Sequence, residues 1–364
     1  MKKAAFHSRE EGVLSIVEKN LGKVLQGRAK KVIESRQGLR THETEEIFAK
    51  RWYISPEDLS IENYPRRNPL AAFNPAALLD EDRILIFPRL IFDYYPYTSS
   101  VGVIELPIET LLSGNVEKPL KTRIVLWSQY LWEVSQGCED PRVFVPESGK
   151  IWLLYTGVGK QDGSEERKSV LGFAELGDDF KLHRKGFFSC VTKEGVVILS
   201  NKDSAFIQVQ DDRATMLTRP AIHNIPDMCW RTEADLEELL IPEESLQPVF
   251  PPEDWEYKVG WSTNTVQLSK NEYLVGWHAV LREDLSYRDG LAIVDSTGEL
   301  KAISNYLLAP QGLSEEYGDR PLVIFGNGLL RCKEYLIWIG GVSDYCIGIF
   351  VTRLDAALGK LKRV

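Results

Sequence analysis

Gly-Cys-Glu-Asp-Pro-Arg-Val-Phe-Val-Pro-Glu-Ser-Gly-Lys-Ile-Trp-Leu-Leu-Tyr-Thr-Gly, residues 137–157, reads as a strand, a tight polar turn and a second strand. Short apolar runs bounded by Pro, Gly and Ser predict a β-hairpin. The pattern recurs: second strands start at Ile84, Ile151, Ala214, Tyr273 and Tyr335, at spacings of 67, 63, 59 and 62 residues. Their turns are Asp80-Glu81-Asp82, Glu147-Ser148-Gly149, Asp211-Asp212, Ser269-Lys270-Asn271 and Cys332-Lys333-Glu334. A further strand follows in most units, at Ser100–Ile104, Val170–Ala174, Gly290–Val294 and Ile347–Val351. Five antiparallel units at a near-constant period predict an all-β fold, a five-bladed β-propeller. A β-sandwich has turns as often but no reason for such a period.

Within the quoted stretch, Glu139, Asp140 and Arg142 surround Pro141. Proline fixes its own backbone and predicts an extended conformation for Asp140 before it. A carboxylate held there can act as a proton donor, clamp a sugar hydroxyl, or only complete a turn salt bridge. The repeat adds a constraint. Five residues beyond each second-strand start lie Arg89, Thr156, Arg219, His278 and Gly340; about eleven before lie Asn74, Asp140, Asp203 and Ser262. Both sets are expected to rim one mouth of the central channel. Cations and aspartates converging on one opening make a pocket composition.

Two carboxylates across that channel, Asp140 and Asp203, suit divided acid and base roles in glycoside cleavage. Equally, each could be held by its neighbour, Arg142 or Lys202. Arg89, Arg219, Lys258 and His278 suit phosphate, or the carboxylates of neighbouring units. Trp127, Trp132, Tyr94, Tyr95 and Tyr97 fall in predicted loops where flat rings can stack on sugars, whereas Trp152 and Trp338 read as packing between units. Gly326-Asn327-Gly328 reads as a hairpin turn, so no phosphate-cradling glycine loop is present.

Of 364 residues, 43% are hydrophobic and 27% charged, with a net charge of −9. The acidic balance argues against nucleic-acid binding. The start lacks a signal-peptide run and no segment reaches membrane-span length, which points to the cytoplasm and away from membranes. Five cysteines and five histidines show no metal-ligand spacing. Residues from about 9 to 50 read as a helical arm, with Leu14, Val17, Leu21 and Val24 as an apolar stripe. That stripe either packs on its own domain or meets a partner. The expected division is an arm over 1–60 and a propeller over 61–364.

From about residue 65 to 352 the chain resembles glycoside hydrolase family 130, the mannoside phosphorylases and related β-mannosidases. The resemblance rests on Phe73-Asn74-Pro75-Ala76, Glu139-Asp140-Pro141-Arg142, Lys202-Asp203-Ser204-Ala205-Phe206, Thr218-Arg219-Pro220, Lys258-Val259-Gly260, Gly276-Trp277-His278 and Gly340-Gly341-Val342-Ser343-Asp344, in that order. It implies an inverting single displacement on a β-mannoside, with Asp140 as proton donor to the leaving oxygen. Asn74, Asp203 and Asp344 would position the mannosyl unit, and Glu139 and Arg142 would frame Asp140. Arg219, Lys258 and His278 match positions that hold phosphate, which serves the phosphorylases as co-substrate; no cofactor or metal is implied. Helical extensions in such proteins imply a homo-oligomer through the N-terminal helices.

The sequence departs from the family pattern at three places. Asn201 stands where phosphorylases carry an arginine, Trp261-Ser262-Thr263-Asn264 replaces a Gly/Pro-rich run, and Leu322 replaces an asparagine. With Arg219, Lys258 and His278 retained, phosphate is favoured over water as nucleophile. Water would need a base, Asp203 or a loop glutamate such as Glu283. The reading from a different class is a propeller that binds glycan or protein without turnover.

Overall fold

The structure is a computed structural model that describes residues 2–160 and 167–364, with side chains described from residue 16. A helix, α1, runs over Lys2–Ser35. It is shorter than the sequence suggests at its C-terminal end: residues 36–49 are irregular apart from one bridge, and Gly38 takes a left-handed φ of 80° just beyond the last turn. Glycine adopts that conformation without steric cost and commonly ends helices.

The stripe on α1 is offset from the one expected. Val17, Leu21, Leu25 and Ala29 are buried in the largest apolar cluster, which also holds Met228, Trp230 and Phe250. Val24 is 41% exposed, and the Leu14 side chain lies outside the described residues. Four-residue spacing therefore aims the helix at the chain's own strands. Each of Val17, Leu21 and Leu25 contributes about 1.5–3 kcal/mol by burial. Arginines fasten the same face: Arg28 donates to the carbonyls of Glu243 and Leu246, and Arg36 to that of Val249. No helix among the described residues is long and apolar enough to cross a membrane.

The rest is mostly β structure. Five hairpins carry the repeat: Ala71–Asp80 with Arg83–Ile91, Gly137–Phe144 with Ile151–Lys160, Asn201–Gln210 with Arg213–Pro220, Glu256–Ser269 with Glu272–Leu281, and Ile324–Cys332 with Tyr335–Val342. Each pairs antiparallel with a third strand, and the third unit, whose third strand the sequence did not reveal, uses Cys229–Asp235. The fifth unit gains its outer strand from Lys50–Ile54, far upstream. First strands lie beside one another in turn. Ala71–Asp80 neighbours Gly137–Phe144 and Ile324–Cys332; Asn201–Gln210 neighbours Gly137–Phe144 and Glu256–Ser269; Glu256–Ser269 also neighbours Ile324–Cys332.

Between units the packing is aromatic. Phe144, Trp152, Phe173 and Phe206 form one ring cluster across the second and third units. Trp338 is fully buried. It also explains a correction: Gly326-Asn327-Gly328 lies inside the strand Ile324–Cys332 and makes no hairpin turn. A Cβ on Gly326 would overlap the Trp338 indole, so glycine there records a close approach between strands.

Candidate functional site

Every first strand breaks register at the same height. The shifts fall between Phe73 and Ala76, Glu139 and Arg142, Lys202 and Ala205, Trp261 and Thr265, and Gly326 and Gly328. Such bulges interrupt the alternation of a strand and re-aim one side chain. In the first three units the re-aimed residues are Asn74, Asp140 and Asp203, with φ of 44°, 50° and 50°. Asp140 is therefore left-handed, not extended as its proline predicts. Asn and Asp tolerate this region better than other residues with a Cβ, and the surrounding contacts over-determine it.

These residues face a cavity of about 250 Å3. Asn74 Nδ2 donates to Asp140 Oδ1 at 2.9 Å, and Arg89 donates to the same oxygen at 3.1 Å. Arg89 also bonds Glu139 at 2.8 Å and Ser99 at 2.8 Å, beneath the rings of Phe73 and Tyr97. Glu139 meets Lys202 at 3.6 Å. Each acid is thus paired across units and not with its sequence neighbour.

Arg142 is buried below the cavity floor. It donates to the Asp140 carbonyl at 3.0 Å, the Ser262 carbonyl at 2.8 Å and Asp203 Oδ1 at 3.2 Å. It frames the site, as expected, without touching the Asp140 carboxylate. Arg219 takes the other Asp203 oxygen at 2.6 Å and also pairs with Asp227. Gly260 leaves room for this knot: a Cβ would sit 2.7 Å from Asp203 Oδ2 and from His278 Cε1.

Burial by itself would raise the Asp203 carboxyl, but Arg219 and Arg142 hold it well below the usual carboxylate range. Burial pulls His278 far down, so the imidazole is neutral and is not the cation the sequence suggested. Its Nδ1 lies 3.0 Å from Ser262 Oγ, and its ring stacks on Tyr287. Burial and Arg219 lower Lys258 to about 8. Burial raises Asp344 to about 6, against the pull of Arg89 and Arg320.

A family profile described as beta-1,4-mannooligosaccharide phosphorylase matches residues 38–363. The chain belongs to glycoside hydrolase family 130. Members of family 130 are phosphorylases or glycosidases acting on mannosides, and this chain is such an enzyme. Solved structures share its fold at low identity. A glycosyl hydrolase from Bacteroides ovatus is 16% identical, with a TM-score of 0.66 over 91% of this chain and 97% of that one. A beta-1,2-mannobiose phosphorylase from Listeria innocua, in complex with beta-1,2-mannobiose, is 14% identical, with a TM-score of 0.62 over 86% and 99%. A mannose phosphorylase from Leishmania mexicana, in complex with phosphate ion, is 15% identical, with a TM-score of 0.56 over 85% and 92%. A search of the curated proteins returned no match.

Within this family-130 chain, the structure brings nine of the ten named residues to the cavity: Asn74, Arg89, Glu139, Asp140, Asp203, Arg219, Lys258, His278 and Asp344. Arg142 lies behind them. Gln136, Tyr287, Arg320, Val323 and Phe325 also line it and were missed. Tyr287 and Phe325 had a signal, since they sit on strands one unit apart; Arg320, in an irregular segment, had none. Of the loop aromatics, only Tyr97 reaches this cavity. Trp127 lines a separate, larger one of about 490 Å3 with Tyr64 and Phe92, while Tyr95 is 99% exposed. Glu283 is exposed beside His42, away from the cavity.

Proposed function

We propose that this enzyme cleaves a β-mannoside by phosphorolysis with inversion, on a five-bladed propeller whose bulged inner strands deliver the reacting groups. The mutual packing of the five first strands supports closure into that propeller. Asp140 is the proton donor. Asn74 and Arg89 both bond Oδ1, which leaves Oδ2 to carry the proton toward the glycosidic oxygen, directly or through a sugar hydroxyl.

The observation that carries phosphate over water is the state of Asp203. Water needs a base on the opposite face of the sugar. Asp203 is locked as a carboxylate between two guanidiniums, with little affinity for a proton, and Glu283 is elsewhere. Phosphate brings its own charge and needs no base. One of its oxygens bonds to C1 as the C1–O glycosidic bond breaks, and the leaving oxygen takes the Asp140 proton. Inversion at a β-mannoside gives α-mannose 1-phosphate.

Incubation with β-linked mannobioses, with and without inorganic phosphate, tests this. Phosphate-dependent formation of α-mannose 1-phosphate is expected. Release of free mannose at a rate indifferent to phosphate would overturn it.

A further inference from the structure

We infer that Arg320, with Lys258, forms the anion clamp for inorganic phosphate in this chain, across the ring of Tyr287. The inference rests on the phosphorolysis reading and adds a residue to it. The Arg320 guanidinium lies 5.4 Å from the Tyr287 ring centroid, and Lys258 Nζ lies 5.6 Å from the same centroid. Both residues line the cavity that holds Asp140.

Their pairing sets them apart from the other cavity arginines. Arg89 holds Glu139 and Asp140, and Arg219 holds Asp203 and Asp227. Among the described residues, neither Arg320 nor Lys258 has a carboxylate within ion-pair distance or a side-chain hydrogen bond. Arg320 is exposed at the cavity mouth, and without a carboxylate at ion-pair distance it and Lys258 repel each other across the cavity they both line; an anion between them relieves the repulsion. The Tyr287 ring attracts both cations, each within about 6 Å of its centroid.

Asn201, which stands where the family resemblance expects an arginine, is not among the cavity-lining residues and brings no charge to the cavity. Its side chain is buried and turned away: Oδ1 accepts from Thr218 Oγ1 at 2.8 Å and from the Arg219 amide at 3.3 Å. It braces the strand that carries Arg219 and offers nothing to a ligand through that oxygen. Arg320 enters from the segment before the strand Ile324–Cys332, and its amide is fixed to the Ser343 carbonyl at 3.0 Å. That bond ties the Arg320 backbone to the residue beside Asp344. A guanidinium fork there can bind two phosphate oxygens at once.

The test uses the full chain and three variants: Arg320→Gln, Arg320→Lys and Arg331→Gln, the last an exposed arginine that is not among the cavity-lining residues. Inorganic phosphate is titrated calorimetrically into each, and the KM for phosphate and for the mannoside is measured separately. Arg320→Gln is expected to weaken phosphate binding and raise its KM at least ten-fold, with the mannoside KM within two-fold. Arg320→Lys should fall between, and Arg331→Gln should match the wild type. Unchanged phosphate binding in Arg320→Gln overturns the inference while leaving phosphorolysis standing. A wild-type enzyme that binds phosphate through Arg320 but turns over without it would instead overturn the phosphorolysis reading. A wild type that binds no phosphate overturns both.

Discussion

Arg142 and Asp203 meet at 3.2 Å, and both side chains are almost fully buried. The pair joins the second unit to the third, and the same guanidinium holds the carbonyls of Trp261 and Ser262 in the fourth. One side chain thus fixes the spacing of three bulged strands beneath the cavity. Removing one partner of a buried pair strands the other's charge and hydrogen bonds. Arg142→Met is expected to cost about 3–5 kcal/mol, read by urea denaturation. A loss below about 1 kcal/mol would show that the units are held by their apolar cores alone.

Asp344 predicts a stability signature. Its folded carboxyl titrates near 6, above its ordinary 3.8, because burial outweighs Arg89 and Arg320. A raised acid favours the folded state below the unfolded value, and that contribution is lost as pH rises through about 6. Asp344→Asn should therefore be the more stable protein at pH 8, by about 1–2 kcal/mol after allowance for partial exposure. The gap should shrink at pH 5, while turnover falls at both. Denaturation curves at the two pH values check it, and a gap that does not change with pH contradicts it.

Lys258 predicts a signature in substrate binding. Burial and Arg219 bring its ammonium to about 8, so the charge is present at pH 7 and mostly gone at pH 9. Phosphate affinity should fall about ten-fold across that interval, while mannoside affinity changes little. In Lys258→Gln the phosphate KM should be high and should lack the rise that the wild type shows as pH passes about 8. A wild-type phosphate KM that stays level from pH 7 to 9 would remove Lys258 from the anion site.

Much of the site was legible because the repeat sets register. Counting along five hairpins was enough to bring Asn74, Arg89, Asp140, Asp203, Arg219 and His278 to one opening. Two properties could not be read that way. The left-handed turn of Asn74 and Asp140 opposes the local rule for residues before proline; it is stabilised by cross-unit contacts such as their mutual hydrogen bond. The neutrality of His278 and the locked charge of Asp203 come from burial and from guanidiniums that arrive from distant strands. On α1 the period was clear over Val17 and Leu21, but which flank is buried depends on strands more than 150 residues away. Arg320 sits outside the hairpin count.

The central claim is that Asp140 donates the proton, and leaving-group dependence tests it most directly. A sugar leaving group needs protonation, whereas a dinitrophenolate does not. Asp140→Asn should lose at least a thousand-fold in turnover of a β-mannobiose. It should retain turnover of dinitrophenyl β-mannoside within about ten-fold, at unchanged phosphate KM. Equal losses on both substrates would contradict the account and make Asp140 a binding residue.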